Sequence, residues 1–92
     1  MTIVSAKVRI SGRVQGVWFR QSTKEKAIEL GVTGWCRNCA DGSVEAVFQG
    51  KKKAVQSIID WCHEGPKMAR VDHVDSEWLD AVAGFNNFEV RA

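Results

Sequence analysis

Few features of this chain are extreme, and each shortage excludes something. Thirteen basic against eleven acidic residues leave a formal net charge of +2, too little for bulk electrostatics to draw the chain to nucleic acid or a membrane surface. Any preference for anions must therefore be local. No apolar run approaches the ~20 residues that a membrane-spanning helix requires. The opening MTIVSAKVRI places Lys7 and Arg9 inside an alternating pattern, which suits neither a signal peptide nor a span. A cytoplasmic address is the resulting expectation. Cysteines are few and odd in number (Cys36, Cys39, Cys62) in a chain whose 45% hydrophobic content can build a core without staples, so free thiols are expected. Linkers, repeats and low-complexity segments are missing too, and 92 residues leave room for a single domain over 1–92.

What is present is periodicity. Residues 4–11 alternate, with Ala6, Val8 and Ile10 on one face and Lys7, Arg9 and Ser11 on the other, as in a half-buried strand. A loop is expected over 12–18. From Phe19 the spacing becomes helical, with Phe19, Thr23, Ala27 and Leu30 on one stripe and Gly31 as the stop. A second strand is predicted over 32–38, a hairpin at Asp41-Gly42, and a third strand over 43–49 with Val44, Ala46 and Phe48 inward. Val55, Ile58, Ile59 and Cys62 mark a second helix that Gly65-Pro66 ends. A fourth strand is expected from Met68 to Trp78, with a bulge or bend between Val71 and Val74 because their parity differs. Residues 79–87 read as loop and Phe88 to Arg91 as a short final strand.

This β-α-β-β-α-β order with a short extra C-terminal strand predicts an α+β fold, a ferredoxin-like sandwich with two helices on one face of a mostly antiparallel sheet. The crossover helix makes the first two strands parallel, so their C-terminal ends share one edge of the sheet. The loop before Arg20 and the end of strand two at Asn38 therefore meet there. With strand three between them they are about 10 Å apart, two strand spacings.

At that edge lies GRVQGVWFR, Gly12 to Arg20. Its glycines permit positive φ, so successive N–H groups can converge into an anion nest at the positive end of a helix. Arg20, in the first turn, can grip two phosphoryl oxygens at once. Glycine spacing alone equally allows a plain turn followed by a solvated arginine. No Lys-Ser or Lys-Thr pair follows Gly16, so a nucleotide-binding P-loop is not supported.

The blocks GRVQGVWFR, GVTGWCRN (Gly31 to Asn38) and DGSVE (Asp41 to Glu45) resemble the acylphosphatase signature. That signature joins a glycine-x-valine-glutamine-glycine-valine-x-phenylalanine-arginine block to a glycine-tryptophan-x-arginine-asparagine block. The similarity continues through Trp61-Cys62, Gly65-Pro66, Ala69, Val71 and Val74 to Phe88. It implies a standalone enzyme that hydrolyses small acyl phosphates to carboxylate and inorganic phosphate. It further implies that Arg20, together with the backbone amides of the loop residues Gln15, Gly16, Val17, Trp18 and Phe19, binds the phosphoryl group, and that Asn38 positions the attacking water. Cys36 stands where that family usually has an aliphatic residue, and Cys39 occupies a variable position beside Asn38, which brings two thiols near the site.

Other motifs compete less well. Cys36 and Cys39 have C-x₂-C spacing, but residues three apart on a strand face opposite sides, so no metal site is expected, and no cofactor. Lys51 to Lys53 fall at the far edge of the sheet and read as a solvated helix end. His63 and His73 have no spacing that ties them to Arg20. Trp35, Trp61 and Trp78 read as packing residues, whereas Trp18 could wall the mouth of the site. The ribonucleoprotein aromatic signature is missing, which argues against RNA. The expected partners are thus a small acyl phosphate and inorganic phosphate, with no nucleic acid, no membrane and a monomeric chain. Broad selectivity for the acyl part is expected. A non-catalytic module that binds phosphate or carbamoyl phosphate is the alternative, since a cradle can bind without hydrolysing.

Overall fold

The computed structural model describes residues 2–81 and 84–91. The elements are β1 (Ile3–Arg13), α1 (Phe19–Leu30), β2 (Thr33–Asn38), β3 (Val44–Lys51), α2 (Lys52–Cys62), β4 (Arg70–Asp80) and β5 (Phe88–Arg91). They form one five-stranded sheet in the order β4-β1-β3-β2-β5, antiparallel except for the β2–β5 pair. This is the ferredoxin-like arrangement that the element order implied. No helix among the described residues is long and apolar enough to cross a membrane.

The core follows the alternation in the sequence. Ala6, Val8 and Ile10 of β1 and Val44, Ala46 and Phe48 of β3 are buried against Phe19 and Ala27 of α1 and Val55, Ile58, Ile59 and Cys62 of α2. Full burial contributes ~1.5–3 kcal/mol for each of the larger side chains. Phe48 stacks on Phe88 with ring centroids 5.7 Å apart, which fastens β5 to the sheet from beneath. The other sheet face carries Lys7 and Arg9 of β1, Glu45 of β3 and Arg37 of β2.

Several strand boundaries differ from the periodicity, and the longest extensions arise because a neighbouring strand supplies partners; β3, expected over 43–49, runs from Val44 to Lys51. β1 runs on through Gly12 and Arg13, which pair with Val71 and Arg70 of β4, so the connection to α1 shrinks to residues 14–18. Gly12 (φ 129°) belongs to this pairing and not to the cradle: a Cβ there would stand 2.2 Å from the Arg70 carbonyl oxygen. β4 begins at Arg70 and reaches Asp80 because Leu79 and Asp80 pair with Ser5 and Val4; of the loop expected over 79–87, residues 82 and 83 lie outside the described residues. The expected bulge is present. Ser11 pairs with His73 and Gly12 with Val71, leaving Asp72 as the extra residue that reconciles the parities of Val71 and Val74.

β3 pairs with both β1 and β2, so β1 and β2 are parallel with one strand between them. Their C-terminal ends open on the same edge. Lys51 pairs with Ile3 at the other edge, which places the lysine run away from Asn38.

Candidate active site

Residues 14–18 are held from both sides before they present anything. Val14 and Val17 are buried in the core, as is Phe19. The Phe19 ring lies 5.6 Å from that of Trp61, and Gly65 leaves the room: a Cβ there would come within 2.6 Å of the same ring. Thr23 Oγ1 donates to the Phe19 carbonyl at 2.7 Å, closing the first turn of α1. Between these anchors the backbone alternates in hand. Gly16 has φ 74°, Val17 is not left-handed, and Trp18 has φ 66°. Alternation of this kind turns successive N–H groups toward one point.

These donors are not used by the described residues. Trp18, the N-cap of α1, makes no side-chain cap bond, and no acidic residue stands in the first turn. The first backbone bond of the helix runs from Ser22 N–H to the Trp18 carbonyl at 2.9 Å. Among the described residues no acceptor meets the N–H groups of Gly16 to Gln21. The helix dipole adds its positive end at the same place.

Arg20 is oriented from an unexpected direction. Its Nη1 donates to the Arg91 carbonyl of β5 at 2.8 Å, which holds one side of the guanidinium. No carboxylate among the described residues pairs with it. Gln15 turns its side chain away from the loop and across to the β2–β3 hairpin, where Nε2 donates to the carbonyls of Cys39 (2.8 Å) and Ser43 (2.9 Å). Both hydrogens of one amide thus tie the loop to the turn that follows Asn38. Asp41 stiffens the turn by accepting from Ser43 N–H at 2.9 Å and Ser43 Oγ at 2.6 Å.

Asn38, the last residue of β2, faces the loop. Its Oδ1 is buried and has no hydrogen-bond partner among the described residues, and a buried acceptor left unsatisfied costs ~1–3 kcal/mol. Val14, Gly16, Trp18, Phe19, Arg20, Gln21, Asn38 and Val90 line a cleft of about 420 Å³. Of the seven residues singled out from sequence, Gly16, Trp18, Phe19, Arg20 and Asn38 are brought together there. Gln15 and Val17 do not line it, one bridging to the hairpin and the other packed in the core. Val14, Gln21 and Val90 were not anticipated; Val90 reaches the cleft because β5 pairs in parallel with β2, a pairing no local pattern encodes.

The thiols do not enter. Cys36 is buried with Sγ 3.7 Å from the Arg20 carbonyl, and burial pushes its thiol up to about 12 against the opposing pull of Arg20. Burial likewise raises Cys62. Both remain protonated near neutrality and act as small apolar residues. All three cysteines are free.

One polar cluster was missed. Glu45 on β3 is only 4% exposed and lies on the open sheet face between Arg37 Nη2 (2.8 Å), Arg9 Nη2 (3.4 Å) and Lys7 Nζ (3.7 Å). The Arg37 hydrogen bond is the main cause holding its carboxyl below the usual range, while partial burial opposes it. Arg9, Glu45 and Arg37 occupy one row across β1, β3 and β2. Their outward parity is visible in the sequence, but the register that aligns them is not.

The acylphosphatase family model matches residues 6–90. An acylphosphatase of Rubrobacter xylanophilus is 56% identical over 85 residues, covering 92% of this chain and 77% of its own. One of Anaeromyxobacter dehalogenans is 50% identical over 88 residues, 96% of this chain and 95% of its own. The solved structure of an acylphosphatase from Coxiella burnetii superposes with a TM-score of 0.92 at 39% identity, covering 98% of this chain and 94% of that one.

Proposed function

We propose, for a chain that belongs to the acylphosphatase family and hydrolyses acyl phosphates, that Arg20 and the loop amides hold the phosphoryl group while Asn38 aims the attacking water. The observation that carries this reading is that Asn38 lines one cleft with Arg20 at the uncapped start of α1, while its Oδ1 has no hydrogen-bond partner among the described residues. A module that only binds phosphate has no use for an acceptor kept unsatisfied beside its cradle.

The chemistry suits so small a set of groups. An acyl phosphate is a mixed anhydride whose leaving group is a carboxylate with a conjugate acid of pKa ~4. It departs with its electron pair unprotonated, so no general acid is required. Water oxygen forms the new bond to phosphorus as the bond from phosphorus to the acyl oxygen breaks, and both water hydrogens end on the inorganic phosphate. Asn38 is not basic. Its carbonyl accepts one hydrogen bond from the water and thereby turns a lone pair toward phosphorus. Arg20 and the amides neutralise the charge that shifts among the equatorial oxygens, the part a metal ion plays in many phosphoryl-transfer sites. The reaction on this reading needs no metal. Every group named comes from one copy of the chain, which supports a monomer as the working unit.

The test is hydrolysis of acetyl phosphate and benzoyl phosphate in the presence of a chelator, comparing the parent with Arg20→Ala and Asn38→Ala. Full activity in chelator and loss in both variants is the expected result. Metal-dependent turnover, or turnover indifferent to both substitutions, overturns the mechanism.

A further inference from the structure

We propose that Asp41, held by Arg9, is a positioning residue that keeps the Asn38 carboxamide on the cleft, so that losing it lowers kcat and leaves substrate binding alone. The inference rests on the water-aiming reading of Asn38 and carries it to a pair of side chains outside the cleft.

Asn38 needs to be held from elsewhere. No hydrogen bond from the described residues fixes its Oδ1, so the direction of that oxygen depends on the backbone that carries it. That backbone is the end of a strand. Asn38 makes the last β2–β3 pair, with Val44, and the chain then turns through Cys39 to Ser43, with Ala40, Asp41 and Gly42 exposed. A group displaced by about 1 Å can cost about 10²-fold in rate, and an exposed hairpin end is where such displacement is easiest.

The turn is gripped at Ser43, which is buried. Its carbonyl accepts from Cys39 N–H at 2.8 Å and from Gln15 Nε2 at 2.9 Å. Its own N–H and hydroxyl both donate to Asp41 Oδ1, and the hydroxyl bond is the main cause holding the Asp41 carboxyl below its usual range. An aspartate before glycine in a hairpin has an ordinary use, since its side chain bonds the backbone two residues on. That use occupies one oxygen. The other, Oδ2, accepts from Arg9 Nη1 at 3.1 Å, across 32 positions of sequence. Arg9 has an acid nearer at hand, because Asp75 is its register partner on β4, yet Asp75 pairs with His73 at 2.8 Å.

Arg9 is itself tied down, with Nη2 3.4 Å from Oε2 of the buried Glu45. A chain of contacts therefore runs from Glu45 through Arg9, Asp41 and Ser43 to Gln15, joining the sheet face to the loop before α1, and the turn after Asn38 is its middle link. The Arg9 and Asp41 side chains are 42% and 59% exposed, so the pair contributes little to stability. It contributes direction: a guanidinium fixed on the face of the sheet keeps the turn in one place.

The experiment is a double-mutant cycle on the hydrolysis of benzoyl phosphate. Asp41→Ala and Asp41→Asn are made in the parent and in Asn38→Ala, with thermal melting to verify folding. In the parent, Asp41→Ala is expected to lower kcat about tenfold with KM changed by less than about twofold. Asp41→Asn keeps an acceptor for Ser43 and loses only the charge, so it should lower kcat about threefold, as should Arg9→Met. In Asn38→Ala, where no carboxamide remains to be aimed, Asp41→Ala should change kcat by less than about twofold. An equal fall in both backgrounds makes Asp41 a structural residue and overturns the inference, as does a parent kcat unmoved by Asp41→Ala. Should Asn38→Ala itself leave kcat unchanged, the water-aiming role is wrong, and the positioning role falls with it.

Discussion

The molecule has two helix N-termini that look alike on paper and differ in what they can do. Each lacks a side-chain cap and an acid in its first turn, and each has cations close by, Arg20 at α1 and Lys51 to Lys53 at α2. At α2 the chain passes from β3 into the helix through an extended Lys51 (φ −60°, ψ 141°), with no intervening loop. Its three lysines are exposed, with Lys52 Nζ 5.7 Å from the centroid of the Trp78 ring. At α1 a loop of alternating hand curls the amides inward, β5 holds the arginine from one side, and Asn38 closes the other. A helix dipole plus a cation is therefore not a site. Concavity and an opposing group make it one.

Substitutions can break this contrast, and the largest effect should come from Arg20. Arg20→Ala is expected to lower kcat/KM by about 10³-fold or more, raising KM and reducing kcat together, because in the proposed mechanism the guanidinium contacts phosphate in both ground and transition states. Steady-state kinetics decide it. Asn38→Ala should reduce kcat by about 10²-fold with a smaller change in KM. Its melting temperature should not fall, since the change removes an unsatisfied buried oxygen.

Next comes Gln15→Met, which keeps the shape but deletes both hydrogen bonds to the hairpin. A loss of ~1–2 kcal/mol in urea unfolding and about tenfold in kcat is expected. Unchanged kcat with the same stability loss would limit the glutamine to a structural part.

Acid should act on the sheet face before the cradle. The folded-state pKa of Glu45 is depressed, so its contribution to stability is present above its unfolded value and is lost as pH falls through the folded one. Stability should therefore decline below pH 4.5, the unperturbed value. Glu45→Gln should flatten that acid limb when urea midpoints are followed with pH. Smallest of all is the lysine run: Lys52→Ala with Lys53→Ala should leave kcat/KM within about twofold and add a few tenths of a kcal/mol by relieving repulsion from the helix dipole. A large activity loss there would erase the distinction between the two helix ends.

Much of the site was legible because its parts are local. Glycine at 16, arginine at 20 and the switch from strand to helical spacing all lie within a few residues, and asparagine ends a strand whose alternation is plain. Gln15 has a part that its neighbours did not suggest: its side chain reaches Cys39 and Ser43, 24 and 28 positions away, a contact that no local pattern encodes. The boundaries that moved, at Gly12 and Leu79, moved because strand length depends on which partner lies alongside.

The amino-acid sequence by itself determined the order of elements, the face each residue presents, and the edge where loop and Asn38 meet, since these follow from steric preference and hydrophobic period along the chain. Only the tertiary structure decided that the Arg91 carbonyl aims Arg20, that Val90 joins Trp18 in the cleft, and that Asn38 Oδ1 is left without a partner among the described residues. Those outcomes depend on register and on contacts between residues far apart in the chain. Such contacts exist only once packing has chosen which groups meet and which are left over.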